Sequence, residues 1–447
     1  MKYTKLSLLM LSTALLATPE VTTLSEVFSE AKTSGNIKYY YIQTDKDNSY
    51  TNQDDTSAYA NSLGGQLRFD TASLYGFSAG ATFMTTNPFL LGPNVDTSII
   101  GKDNGARGAN AEIAFSVLGE GYLSYNYQDF ALTVGRKVIK TPLIHAKEVR
   151  MLPSAVSGAF AKYNFGSKAK VELAYLDKFK QRTSDTFINI VQHALGTNTQ
   201  AITGSSSGSV VMAGVDYKAE TWSLKAYDYY AKDFMNSAYI DVAYKMNLKS
   251  TKLTFAGQYI KQCSVGNADT NLAKTGSLTA AKSLSTNAIG LKATLVLSSA
   301  KFILAYSNLV KDDSKHDSLV LPWDGTPLFT NMITSNDLFQ SIYGGAFKAD
   351  SVYIGGSSAI KLAYSQKFDS LGLDGVTTTL AYLNTSNSKF VKDQNDYNAV
   401  LTYKYDKQFS LALKGIWVQN NTGASADGTI SQLKLLSQYR VIANYKF

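Results

Sequence analysis

The sequence predicts an all-β chain: a transmembrane antiparallel up-and-down β-barrel of about 18 strands, with short turns at one end and long loops at the other. Three observations predict it. Apolar and polar residues alternate along most of the 447 residues, the connections alternate between short and long, and a heavy aromatic load (29 Tyr, 21 Phe) accompanies a charged fraction of only 17%. Successive side chains of a strand point to opposite faces, so period-two alternation means a sheet with one apolar and one polar side. Short turns on one rim and long loops on the other are the outer-membrane barrel pattern.

The chain opens "MKYTKLSLLMLSTALLATPE". Lys2 and Lys5 precede an apolar run over 6–17 that ends in small residues, the form of a signal peptide. It is expected to end near residue 22, leaving 23–447 as a single barrel domain. After it, nothing approaches the roughly 18–20 apolar residues of a spanning helix. The single cysteine, Cys263, cannot form an internal disulfide. Closure of a hydrogen-bonded barrel would then hold the chain together.

Alternating segments run near 35–44, 62–71, 75–85, 109–127, 130–137, 157–166, 168–177, 208–218, 221–231, 237–247, 251–262, 286–297, 300–310, 356–368, 375–385, 396–405, 408–420 and 433–447. The fourth is long but counts once, because Ile113, Phe115, Val117, Leu123, Tyr125 and Tyr127 keep one parity. In the last, Tyr439, Val441, Tyr445 and Phe447 share one face; Arg440, Asn444 and Lys446 share the other. It is expected to close the barrel against the segment near 35. A soluble sandwich alternates too, but Tyr, Phe and Trp near the strand ends and many charges on the polar face favour a barrel in lipid.

With the apolar face on lipid, the polar face lines the lumen. An 18-strand barrel leaves an aqueous channel. Lys38, Arg68, Lys292, Lys361, Lys404, Lys414 and Arg440 share that parity and form an expected basic ladder, outnumbering Asp70, Glu112, Glu120, Glu172 and Asp241. Basic rings favour anions. A barrel this wide needs an inward loop to limit size. The candidate is the third long loop, 138–156, where Lys140, Lys147, Glu148 and Arg150 stand among apolar residues. Arg136 falls on the outward parity of Leu132 and Val134.

The stretch "GRKVIKTPL…RMLPSAVSG", with "GGQLRFDT" and the terminal Phe447, resembles the substrate-specific porins typified by outer-membrane porin D, and in particular the campylobacter-type major porins. The resemblance implies an 18-strand barrel, often trimeric, passing small hydrophilic solutes and ions, some members preferring carboxylate-bearing amino or organic acids. It implies a constriction at loop 3 with Arg150 lining it, alongside Lys140, Lys147 and Glu148. It also implies that Phe447, with Tyr445 beside it, is read by the barrel-assembly machinery in inserting the chain into outer-membrane lipid. The stretch after the proline lacks the family's usual acidic residue.

Catalytic and metal patterns are weak. His145, His193 and His316 lie far apart in expected loops, and adjacent His, Asp and Ser in "KHDS" do not make a triad, which is assembled in space. "DKDNSY" starts like a calcium loop but has Tyr50 where glycine is required. No cofactor or metal is expected. The net charge of +8 comes from scattered lysines without a nucleic-acid motif, so no nucleic-acid partner is expected. Two other readings remain at this point: a non-conducting adhesive or structural barrel, and a barrel enzyme. The seventh long loop, with "LPWDGTPLF", is apolar enough to be ordered and to cover the mouth or pack on a neighbouring subunit.

Overall fold

The computed structural model describes residues 20–46, 56–89, 114–145, 150–272, 283–333, 355–386, 392–422 and 433–447. Lys147, Glu148 and the signal segment up to residue 19 lie outside these. Eighteen long strands occur among the described residues: β1 Lys32–Lys46, β2 Thr56–Asp70, β3 Phe77–Pro88, β4 Phe115–Tyr127, β5 Phe130–Lys137, β6 Ala155–Phe165, β7 Ala169–Lys180, β8 Val210–Lys218, β9 Trp222–Ala231, β10 Met235–Leu248, β11 Thr251–Ser264, β12 Ser285–Val296, β13 Ala300–Leu309, β14 Ser358–Lys367, β15 Val376–Ser386, β16 Lys392–Lys404, β17 Phe409–Thr422 and β18 Leu433–Lys446. Each pairs antiparallel with its neighbours.

The ring closes where expected. β18 pairs with β1 from Asn36↔Lys446 to Lys46↔Leu436. The seam then continues one residue further, with Gly35 and Phe447 exchanging both backbone hydrogen bonds at 3.0 and 3.1 Å. Closure leaves no unpaired edge, the condition for a sheet in lipid. A short helix, α1 (Leu24–Ser29), starts with a Thr23/Glu26 capping box and packs beneath the first short turn, where the Val27 carbonyl accepts from the Ala72 amide at 3.0 Å.

Outward positions carry exposed aliphatics such as Leu123, Leu173, Leu291 and Leu362. Exposed Tyr127, Phe165, Trp222, Tyr405 and Phe447 ring the short-turn end. That is an apolar belt with an aromatic girdle.

One expectation fails. The parity of β4 does break: Thr82 pairs with Glu120 and Phe83 with Leu118, so Gly119 is an extra residue, a β-bulge. Val117 pairs with the buried Met84, while Leu123 stands exposed, so Phe115 and Val117 face inward and Leu123 and Tyr127 outward. A Cβ at 119 would run into the Met84 sulfur, which is why glycine suits the bulge. Strand boundaries also shift, with β6 starting at Ala155 so that loop 3 spans 138–154.

Candidate functional site

The lumen is crossed by loop 3. Its departure is set by a network on β2–β5. Glu120 accepts from the Val138 amide (3.0 Å), from Arg68 (3.0 Å) and from Thr82 (2.8 Å). Arg68 also binds Asp70 at 2.5 Å and Tyr122 at 2.6 Å, and the Lys137 ammonium sits 4.0 Å from the Tyr122 ring centroid. The loop then makes a small hairpin, Lys140 bridging His145. The Leu143 amide donates to the Tyr229 hydroxyl of β9 at 3.3 Å. On the return, Lys38 of β1 donates to the Met151 carbonyl at 3.1 Å. β1 and β9 are eight strands apart one way round the ring and ten the other, so the loop is tied to nearly opposite walls. Leu143 and Ile144 join one buried cluster; Met151 and Leu152 join another with Tyr40, Ile42, Met84 and Val117.

The part of loop 7 (310–357) among the described residues, 310–333, lines the wall from β11 to β16. Gln262 exchanges two hydrogen bonds with Val320, both 2.8 Å, and Thr286 donates to Ser318 at 2.6 Å. Gln258 donates to the Pro327 carbonyl at 2.6 Å, Lys361 to the Asn331 carbonyl at 2.5 Å, and the Ile333 amide to Asn398 at 3.0 Å. Inward-facing glutamines and asparagines thus hold a backbone that would otherwise need water. Loops 3 and 7 meet through an Ile144–Asp324 bridge and a His145 amide bond to Trp323 at 3.1 Å. Loop 4 (181–209), containing α2 (Ile190–Leu195) and α3 (Thr199–Thr203), joins them: the Trp323 indole donates to the Ile190 carbonyl at 3.0 Å.

The two sides of the lumen differ in charge. On β7–β10 the acids are engaged: Glu172 and Asp216 share Lys170, 2.9 Å from each, and the Tyr227 hydroxyl, while Tyr239 donates to Asp241 at 3.1 Å. On β12–β14 Lys292 and Lys361 contact other groups, with Asp396 of β16 the acid near Lys361. Lys292 lies 3.9 Å from the Phe329 ring centroid, and Lys361 reaches a carbonyl. Both are opposite Ala305, so they flank it on one face, about 10 Å apart at the backbone. Beside Lys361, Lys301 completes a lumen cavity of about 290 Å³ with Met332, Ile333, Ser365 and Thr379.

The expected ladder therefore divides. Lys292 and Lys361 come together, and Lys414 stands opposite Arg440. Arg440 is buried against Gln438 (2.7 Å) and the Tyr40 hydroxyl (3.2 Å), Arg68 is held between two acids, and Lys404 is exposed at the short-turn end of β16. In loop 3, Lys140 is exposed on the hairpin, Arg150 is 5% exposed, and Lys147 and Glu148 lie outside the described residues. Arg136 lies 4.4 Å from the Phe187 ring centroid, beside the exposed Leu118 whose carbonyl it reaches at 3.3 Å. Lys301, Tyr229 and Asp324 were not singled out by the sequence; Asp324 lies within the "LPWDGTPLF" stretch that reads as an ordered loop.

The family model for outer membrane porins of the OprD family matches residues 26–447. The chain belongs to the OprD family of outer membrane porins. It is thus an outer-membrane channel protein, as the porin D resemblance implies. Among solved structures, Pseudomonas aeruginosa OccK1 (OpdK) aligns with TM-score 0.69 and 14% identity over 94% of this chain and 99% of that one. OccK8 (OprE) of the same organism aligns at 0.70 and 15% over the same shares. OccK2 (OpdF), solved with glucuronate, aligns at 0.69 and 13%, again over 94% and 99%, and OpdK has also been solved with vanillate. A search of curated proteins finds no match.

Proposed function

We propose that this porin admits small hydrophilic solutes by passive diffusion and favours those bearing a carboxylate, as amino or organic acids do. The observation that carries this is the Lys292–Lys361 pair beside loop 7. Lys292 contacts a ring and Lys361 a carbonyl, with Asp396 of β16 the acid near Lys361, while the acids of β7–β10 are engaged by Tyr and Lys. Cations that outnumber the acids beside them at a narrow, low-dielectric passage raise the local concentration of anions. Vanillate and glucuronate, present in two structurally similar channels, both carry a carboxylate, which supports the same reading.

Loop 3 sets the size limit in this reading, with Arg150, Lys140, Lys147 and Glu148 contributing its charge. Lys404, Lys414 and Arg440 extend the basic side along the wall, while Arg68 is neutralised by Asp70 and Glu120. Residues 1–22 act as a signal peptide, Tyr445 and Phe447 are read by the assembly machinery, and the barrel works as a homotrimer. The affinity to campylobacter-type porins rests on the loop 3 motif. The test is reversal potential across a salt gradient in planar bilayers, with liposome swelling by small carboxylates. Anion preference and faster swelling with carboxylates than with neutral solutes of equal size support the reading; cation preference overturns it.

A further inference from the structure

Loops 3, 4 and 7 converge on one side chain. Asp324 of loop 7 accepts from the Arg182 guanidinium at the start of loop 4 and from the Ser154 hydroxyl at the end of loop 3. Its backbone bridges Ile144 on the outgoing limb of loop 3. One residue thus touches both limbs of the pore-crossing loop, the returning limb through its carboxylate and the outgoing limb through its backbone, and its carboxylate also holds the root of a third segment. The ion pair is shielded from water: the side chains of Arg182 and Asp324 are 8% and 12% exposed. In such surroundings a paired carboxylate is worth far more than on a surface, and a lone partner is costly.

The local backbone is committed to this contact. Asp324 has φ +59°, a left-handed conformation unusual for a residue with a side chain, and Asp is among the few that tolerate it. At the following Gly325 an added Cβ would stand 2.5 Å from the Leu143 carbonyl, so loop 7 presses its backbone directly on loop 3. Trp323, on the other side, packs edge-on against Phe234 and donates its indole N–H to the Ile190 carbonyl at the start of α2. Outside this point, loop 7 is tied to the wall by Gln262, Gln258 and Asn398, none of which touches loop 3 through the bonds described.

We propose that Asp324 is a positioning residue that locks loops 3, 4 and 7 into one unit and so sets the cross-section of the pore. The barrel wall does not depend on it, because the strands are held by their own ladders. Loss of the carboxylate weakens the hold of loop 7 on the returning limb of loop 3 and takes one partner from Arg182. The opening then widens and fluctuates while the barrel persists. The role concerns size, and is separable from the charge preference assigned to Lys292 and Lys361.

The test uses the full-length protein in planar bilayers and liposomes. Asp324→Asn should raise single-channel conductance roughly twofold, add flicker to the open current, and admit larger neutral sugars. Arg182→Ala and Ser154→Ala should move the same way by less. Asp324→Glu should return the conductance toward that of the unaltered protein. Lys311→Ala, which removes an exposed ion pair with Asp313 on the same loop, should change nothing. If Asp324→Asn fails to assemble, the other two variants decide. Variants that insert as intact barrels with unaltered conductance, noise and sugar limit overturn the proposal.

Discussion

Lys38 on the first strand donates to the carbonyl of Met151 on loop 3, 3.1 Å away, at a site where the lysine is almost fully buried. A strand residue thereby fixes the returning limb of the loop that crosses the lumen. Replacing Lys38 with Met removes the donor and leaves the carbonyl without it, at a cost of about 1–3 kcal/mol. The cost falls on loop docking and not on strand pairing. The expected outcome is faster protease cleavage within loop 3 and a noisier open current, from barrels that assemble in normal amounts.

Gly35 and Phe447 form the last rung of the closing seam. A Cβ at Gly35 would lie 2.7 Å from the Phe447 ring and closer still to the Gln66 carbonyl, a backbone atom that cannot step aside. Gly35→Ala should therefore lower the yield of folded barrel in the outer membrane several-fold. Deleting Phe447 removes the rung and the terminal aromatic together, and should reduce yield further. Channels that do insert should conduct as before, because both changes lie at the short-turn rim, far from loop 3. Measuring yield and single-channel conductance on the same preparations checks this.

Acid should loosen the inward loops. His193 of α2 is held below its ordinary range by burial; Asp324 opposes this, Arg182 reinforces it, and a bond to the Pro322 carbonyl opposes it. The Phe179 ring packs 4.6 Å away. A released loop 4 takes up a proton as pH falls below about 6.5, while the docked loop does not, so docking weakens. Asp324 follows at lower pH. Burial would raise its carboxyl, but Arg182 and the hydrogen bonds from Ser154 and Arg182 prevail and hold it below the usual range. Docking stability is thus complete above about pH 7, declines from about 6.5 downward, and falls again below about 4. Conductance noise that rises from pH 7 to 5, and no longer does so in His193→Phe, is the expected result.

Most of the barrel was legible because period two is a local signal: each strand in lipid must present one apolar face, whatever its neighbours do. The closing pair of first and last strands followed from the up-and-down order, because a barrel of consecutive antiparallel strands must join its two ends. The reading failed at β4, where the alternation of Phe115, Val117, Leu123 and Tyr127 looked continuous. A bulge costs one residue and leaves no mark in hydropathy when both faces carry apolar side chains, as they do where Met151 and Leu152 meet Met84. The lumen residues were legible as a set but not as individuals. Parity puts Lys292, Lys361, Arg68 and Arg440 on one face. Only the cross-strand register shows that Arg68 is neutralised by Asp70 and Glu120 while Lys292 and Lys361 flank Ala305. Asp324 was invisible for a further reason: its partners, Ser154 and Arg182, are 170 and 142 residues away in the chain.

The central claim concerns charge at the passage beside loop 7, and one measurement tests it most directly: reversal potential in a salt gradient for the unaltered protein and for Lys292→Glu/Lys361→Glu. Anion preference is expected in the first and a shift of several-fold in permeability ratio toward cations in the second, with conductance of similar size. An unaltered protein that prefers cations, or a double variant whose reversal potential does not move, would contradict it.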